Sequence, residues 1–185
     1  MQWFPAFDLG WLNGWLIAGL LVVVDGVCFL IFPKPVVTRL FDRSGWQPKQ
    51  VVLTVISKLV ALVFLAQLLL TPLKGGALLI LGLCVAALGS AGLAKALIDY
   101  RNTPPGEPVE RGIYRISRHP QIVMSSVVLL GAAIAIGSWL ALITLALARL
   151  FGHFSLLAEE EVCLAQYGED YRAYIQRVPR YFLFF

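Results

Sequence analysis

Residues 123–157 read VMSSVVLLGAAIAIGSWLALITLALARLFGHFSLL. As one helix, at ~1.5 Å per residue, this run would extend about 52 Å, far beyond the ~30 Å hydrocarbon core of a bilayer. Gly137-Ser138 interrupts it near the middle. The expected structure is therefore a tight helical hairpin of two short spans, 122–136 and 139–157. With that break the chain crosses a membrane five times; without it, four.

A membrane setting follows from composition. The chain has 185 residues, 59% of them hydrophobic and 14% charged, and its mean hydropathy is +0.79. Soluble domains average about 45–50% apolar and about 25% charged. Three further runs reach the ~20 apolar residues that one crossing needs: Asn13–Phe32 with Asp25 inside it, Val51–Leu70 with Lys58, and Gly76–Ile98 with Lys95. No Lys or Arg precedes the first run. It lacks the basic start of a cleaved signal peptide and reads as a retained span.

The basic residues set the orientation. Lys34, Arg39, Arg43 and Lys49 lie in the 33–50 connection, Arg101, Arg111, Arg115 and Arg118 in 99–121, and Arg172, Arg177 and Arg180 in the tail. Five spans put all three segments on one side, with the N-terminus outside and the C-terminus in the cytoplasm. Four spans would scatter them. Lys58 and Lys95 fall in the cytoplasmic halves of their spans, where a long side chain can snorkel. The expected setting is the plasma (inner) membrane of a prokaryote. The net charge of +4 and pI near 9.1 reflect this asymmetry and not a nucleic-acid surface, because the basic residues sit at the ends of apolar runs. Cys28, Cys84 and Cys163 form no CxxC pair; they read as buried free thiols, with no disulfide framework and no metal site.

Polar chemistry concentrates in RGIYRISRHPQ, residues 111–121. Arginine forks suit carboxylates and phosphates. Pro120 fits the first turn of the fourth span and makes His119 its cap residue, and a helix start favours an anion. Anchoring to lipid phosphates is the plainer alternative. In the fifth span Arg149, His153, Leu156 and Glu160 share one helical face, and ionisable residues in a span usually face a cavity or a partner. A local Arg149–glutamate pair, and a solvated Glu159–Glu161 face, are the plainer alternatives there.

The motifs resemble a known superfamily. G-I-Y-R-I-S-R-H-P at 112–120 is similar to the RHP signature of the isoprenylcysteine carboxyl methyltransferase and phospholipid methyltransferase superfamily. Glu159-Glu160, Tyr167-Gly168, Tyr171, Tyr174 and Val178-Pro179-Arg180 follow that group's order of E-E, aromatic-G-x-x-Y-x-x-Y and V-P-R. The resemblance covers roughly residues 100–182. Two departures stand out: Gln121-Ile122-Val123-Met124 replaces the usual x-Tyr-x-Gly after RHP, and Cys163 replaces a leucine.

The resemblance implies an all-α integral membrane enzyme that binds S-adenosylmethionine (SAM) at the cytoplasmic face, with a lipophilic acceptor entering from the bilayer. Length and the apolar runs give a single domain, 1–185, with three N-terminal spans in 1–98; the resemblance implies that 99–185 is the catalytic half, ending in a C-terminal helical segment. Tyr114, Arg118, His119, Pro120, Glu159 and Glu160 are carried over as cofactor-binding. Residue chemistry adds Arg149 to orient an anionic acceptor, His153 or a glutamate such as Glu160 to take a proton from an amine, and Glu160 to hold the ammonium or a ribose hydroxyl. A prenylcysteine carboxylate, an amino-phospholipid, a fatty acid and a small thiol all remain open as acceptors. Two rival readings stand beside this one. GI-x-R-x-x-RHPQ is also similar to the haem-binding NnrU and zeta-carotene isomerase group, in which His119 and His153 would ligate haem. A non-catalytic membrane scaffold would bind neither group.

Overall fold

A computed structural model describes residues 1–3, 7–42 and 48–182; the side chains of 48–50 and of Leu53 lie outside the description, as does Arg43 of the basic 33–50 connection. The described residues are all-helical: α1 Trp15–Ile31, α2 Lys34–Phe41, α3 Pro48–Leu70, α4 Ala77–Arg101, a short 3-10 turn Gly112–Arg115, α5 Pro120–Ala135 and α6 Trp139–Arg177. Pairing of strand type is confined there to two isolated bridges, Gln2 with Ser138 and Asn13 with Pro72.

The helix boundaries follow local chemistry. Gly137, at φ +63°, turns the chain between α5 and α6. The Ser138 hydroxyl then accepts a hydrogen bond from the Ala141 N–H at 3.1 Å, capping α6. His119 is the cap residue of α5 and Pro120 its first residue, although the imidazole makes no capping bond. The stretch labelled α6 covers Trp139–Arg177, but its backbone leaves helical geometry at Gly168 (φ +57°, ψ −126°). The helix that begins at Trp139 therefore continues well past position 157 to a kink at Gly168, and a second helical piece follows it. Helix α2 has no counterpart in the apolar-run reading of 33–50. Its Val36, Val37 and Leu40 pack on Cys28, Phe32, Leu93 and Leu97.

Packing pairs α4 with α5 and α3 with α6, and α1 lies against α4 and α5. The α4–α5 contact is built on glycine. A Cβ on Gly131 would fall 2.5 Å from the Gly82 carbonyl oxygen and 2.7 Å from the Ala86 nitrogen. Small residues that let backbones approach this closely are the usual means of helix association in lipid. Gly131→Ala should therefore destabilise the protein by ~1–3 kcal/mol through overpacking, despite alanine's ~1 kcal/mol helix preference. Gly19→Ala, whose Cβ meets nothing within 4 Å, should be neutral or slightly stabilising. Thermal unfolding in detergent compares the two. The α3–α6 seam is polar: Thr54 meets Ser155 at 2.7 Å, Ser57 donates to the Ala148 carbonyl at 3.1 Å, and Gln67 donates to Thr144 at 3.1 Å.

Large apolar side chains face outward all round, among them Leu30, Val22, Leu88 and Leu150, an arrangement suited to lipid contact. By length and composition α4 and α6 can each cross a membrane; α1, Thr54–Leu70 and α5 are shorter apolar helices. One expectation needs correcting: all three cysteines are free, but only Cys28 is fully buried and Cys84 is exposed. The Lys95 ammonium reaches one turn toward the end of α4, where it pairs with Asp99.

Candidate active site

The 111–121 segment is held from both sides. On the α4 side, the buried Asp99 carboxylate accepts the Ile113 N–H at 2.9 Å and the Lys95 ammonium. Gly112, at φ +56°, lies directly against that carboxylate: a Cβ there would sit 1.9 Å from Asp99 Oδ2. On the tail side, the Tyr174 hydroxyl donates to the Tyr114 carbonyl at 2.7 Å. The Arg118 N–H donates to the Pro179 carbonyl at 2.9 Å, and the Ser117 hydroxyl to the Arg180 carbonyl at 3.0 Å. The Val178-Pro179-Arg180 stretch is thereby clipped along the start of α5.

At the centre lies Glu160, 6% exposed. His119 Nε2–H donates to its Oε1 at 3.0 Å. Arg180 grips both oxygens, Nε to Oε1 at 3.0 Å and Nη2 to Oε2 at 2.7 Å, a bidentate fork. Arg118 Nη1 stands 3.3 Å from Oε1, within ion-pairing distance but outside hydrogen-bond geometry. Burial pushes the Glu160 carboxyl up; the hydrogen bonds from His119 and Arg180 and the Arg118 charge outweigh it and hold it at about 2. It is a fixed anion, and an ionised carboxylate makes Nε2 the protonated nitrogen facing it.

Arg118 differs from its neighbours. The residue is buried, yet its Nε and Nη1 make no hydrogen bond. Glu159 is the open counterpart, its side chain 56% exposed and its Oε2 3.9 Å from His119 Nδ1. Tyr114 is buried, its hydroxyl accepting from Gln121 at 2.8 Å. Burial first, and the Glu159 charge second, push the Tyr114 phenol well above its ordinary value, so it stays a neutral donor. Burial and the same charge push the Cys163 thiol to about 12, which leaves it without nucleophilic character.

The Arg149–His153 stripe of α6 joins this cluster through the tail. His153 Nδ1 meets the Tyr181 hydroxyl at 2.8 Å, one residue beyond the arginine that holds Glu160. Arg149 makes no hydrogen bond or ion pair among the described residues, and its Nε is buried. The structure thus brings Arg118, His119, Pro120, Glu159 and Glu160 together at the start of α5. Tyr114 adjoins them through the 3-10 turn, and His153 is tied in by Tyr181. Sequence reasoning missed Asp99, Ser117 and Tyr181 as contributors. It had Arg180 only as a motif letter; the V-P-R tripeptide was the available signal. Two surface concavities lie elsewhere. One of about 360 Å³ is lined by residues such as Glu110, Asp170 and Arg177, and one of about 390 Å³ by residues such as Phe29, Lys34 and Phe41. This cluster is the candidate site on its geometry, a buried carboxylate held by His119 and Arg180 with unbonded nitrogens of Arg118 beside it.

Neither the curated proteins nor the solved structures yield a match to the chain. Residues 70–170 match the phospholipid methyltransferase family. That interval runs from the end of α3 through the 111–121 segment, α5 and α6 as far as Asp170, more than half of the chain. The chain therefore belongs to the phospholipid methyltransferase family, within the wider isoprenylcysteine and phospholipid methyltransferase superfamily.

Proposed function

We propose that this protein is an integral membrane methyltransferase that takes its methyl group from SAM at the cytoplasmic face and delivers it to a lipophilic acceptor. The proposal includes a single membrane domain of five spans, formed by α1, α3, α4, α5 and the 139–157 part of α6. The last two form a hairpin, with the N-terminus outside and the C-terminus in the cytoplasm. The observation that carries it is Arg118: a buried guanidinium with two unbonded nitrogens, at the start of a helix, inside the segment that the family match covers.

The residues present suit the cofactor. Arg118 and the start of α5 would hold its carboxylate, through a charge-assisted bond and free helix N–H groups. Glu159, open and next to His119, would meet the ammonium or a ribose hydroxyl. Glu160 has both oxygens engaged, so its proposed part is to brace His119, Arg118 and Arg180 into one wall. Tyr114 and Pro120 close that wall against water. When bound, SAM supplies an electrophilic methyl group carried on a sulfonium. The protein's own task is alignment and exclusion of water. An acceptor that is already anionic needs no base. An amine must lose a proton, and His153, hydrogen-bonded to Tyr181, would take it.

Incubating purified protein with methyl-labelled SAM and a panel of a prenylcysteine, an amino-phospholipid, a fatty acid and a small thiol tests this. Label should pass to at least one acceptor, and Arg118→Ala should abolish the transfer. A Soret band in the purified protein, with no label transferred to any acceptor, would instead favour the haem reading.

A further inference from the structure

Arg149 is the unexplained charge of α6. It lies eight positions before Leu157, ~12 Å deeper along the helix at ~1.5 Å per residue. A guanidinium on a lipid-facing surface at this depth would extend toward the headgroups. Arg149 is half-buried, and its Nε is enclosed by protein with no hydrogen-bond partner. Nor is it neutralised: no carboxylate pairs with it among the described residues, and both oxygens of Glu160, the acid on its own helical face, are taken by His119 and Arg180. The Tyr181 phenol lies close enough to act on Arg149 electrostatically, and its hydroxyl is hydrogen-bonded to the imidazole of His153, one turn along the helix. Both are neutral donors or acceptors, and neither compensates a cation. Leaving a charge unpaired at such a position is costly. The tail that carries Tyr181 reaches His153, one turn from Arg149, and its preceding residue Arg180 holds Glu160, so the tail links this position to the Glu160 cluster.

We propose that Arg149 is the seat of an oxyanion on the acceptor lipid, with Tyr181 and His153 as its second and third polar contacts. The inference rests on the methyltransferase reading above and narrows its acceptor: the lipid must present a carboxylate or a phosphate at this depth, and an amine with no accompanying oxyanion is excluded. Arg149 then determines acceptor specificity, and the bound anion supplies the counter-charge that the apolar segment lacks.

The test uses delipidated full-length protein in a neutral detergent and four probes of matched chain length. Oleate carries a carboxylate, dioleoylphosphatidylethanolamine a phosphate together with an amine, oleylamine an amine alone, and oleyl alcohol no charge. Binding is read by native mass spectrometry and by the rise in unfolding temperature. Wild type should bind oleate or the phospholipid at least tenfold more tightly than oleylamine or oleyl alcohol, and which of the two binds identifies the oxyanion. Arg149→Met should lose that preference, and Arg149→Lys should retain part of it. Without ligand, Arg149→Met should unfold at the same or a higher temperature than wild type, which guards against a folding artefact. Oleylamine or oleyl alcohol binding as tightly as both oxyanion probes, or Arg149→Met keeping the wild-type preference, would overturn the proposal. SAM binding measured in parallel separates this outcome from failure of the methyltransferase reading: Arg149→Met should bind SAM as wild type does, whereas a wild type that ignores SAM indicts the enzyme assignment alone.

Discussion

Glu160→Ala is expected to destabilise the protein by about 3–5 kcal/mol, the usual cost of removing one partner from a buried ion cluster. The loss is large because one carboxylate serves three cationic or polar partners. Without it, the Arg118 and Arg180 guanidinium groups lose the carboxylate they share, and His119 loses its acceptor. The tail loses its bidentate anchor at the same time. Glu160→Gln keeps the shape and loses the charge, so it should fall between alanine and wild type. The same chemistry sets a pH dependence. The folded carboxyl titrates at about 2, below its ordinary value of 4.5. Its contribution is therefore fully present above pH 4.5 and is lost as the pH falls toward 2. Unfolding followed by circular dichroism in detergent between those limits should show wild type losing stability while Glu160→Gln changes less. Parallel curves for the two would refute the charge argument.

Gly112→Ala should cost about 2–4 kcal/mol, from two sources. A non-glycine residue in the left-handed region costs ~1–2 kcal/mol. The new methyl would also displace the Asp99 carboxylate, since the position it must occupy is 1.9 Å from Oδ2, breaking the bond to the Ile113 N–H and disturbing the pair with Lys95. The two residues are thus coupled. In the double variant Asp99→Ala/Gly112→Ala the steric part disappears, so the two losses should fall short of additivity by roughly 1 kcal/mol or more. Strict additivity would show that Asp99 does not seat the 112–115 turn. SAM affinity should drop with Gly112→Ala, because Arg118 and His119 follow within seven residues of the displaced backbone.

What the sequence disclosed and what it concealed divide along a physical line. Features written locally were legible. Gly137-Ser138 ends one apolar run and caps the next helix, and His119-Pro120 opens α5, because turn chemistry and proline's fixed φ act over a few residues. The apolar runs located α1, α3, α4, α5 and the first half of α6 by length alone. Features that depend on distant partners were not legible. Asp99 looks like an ordinary acid near a helix end until Ile113 is folded onto it. Arg180 and Tyr181 gain their roles only when the tail doubles back onto the start of α5. Glu160 read as a ligand-binding carboxylate, and its bonds to His119 and Arg180 appear only in the fold. Helix α2 escaped notice because eight residues with two prolines beside or within them, Pro33 and Pro35, give too short a pattern to separate from a loop.

The central claim is that residues 111–121 and the stretch from Glu159 to Tyr181 form one SAM site. Isothermal calorimetry of SAM against the purified protein in detergent addresses it most directly, with Arg118→Ala and Glu159→Gln alongside. The account expects one SAM bound per chain, binding abolished by Arg118→Ala and weakened by Glu159→Gln, with all three proteins folded by circular dichroism. A folded wild type that takes up no SAM, or an Arg118→Ala variant that binds it with undiminished affinity, would contradict the account.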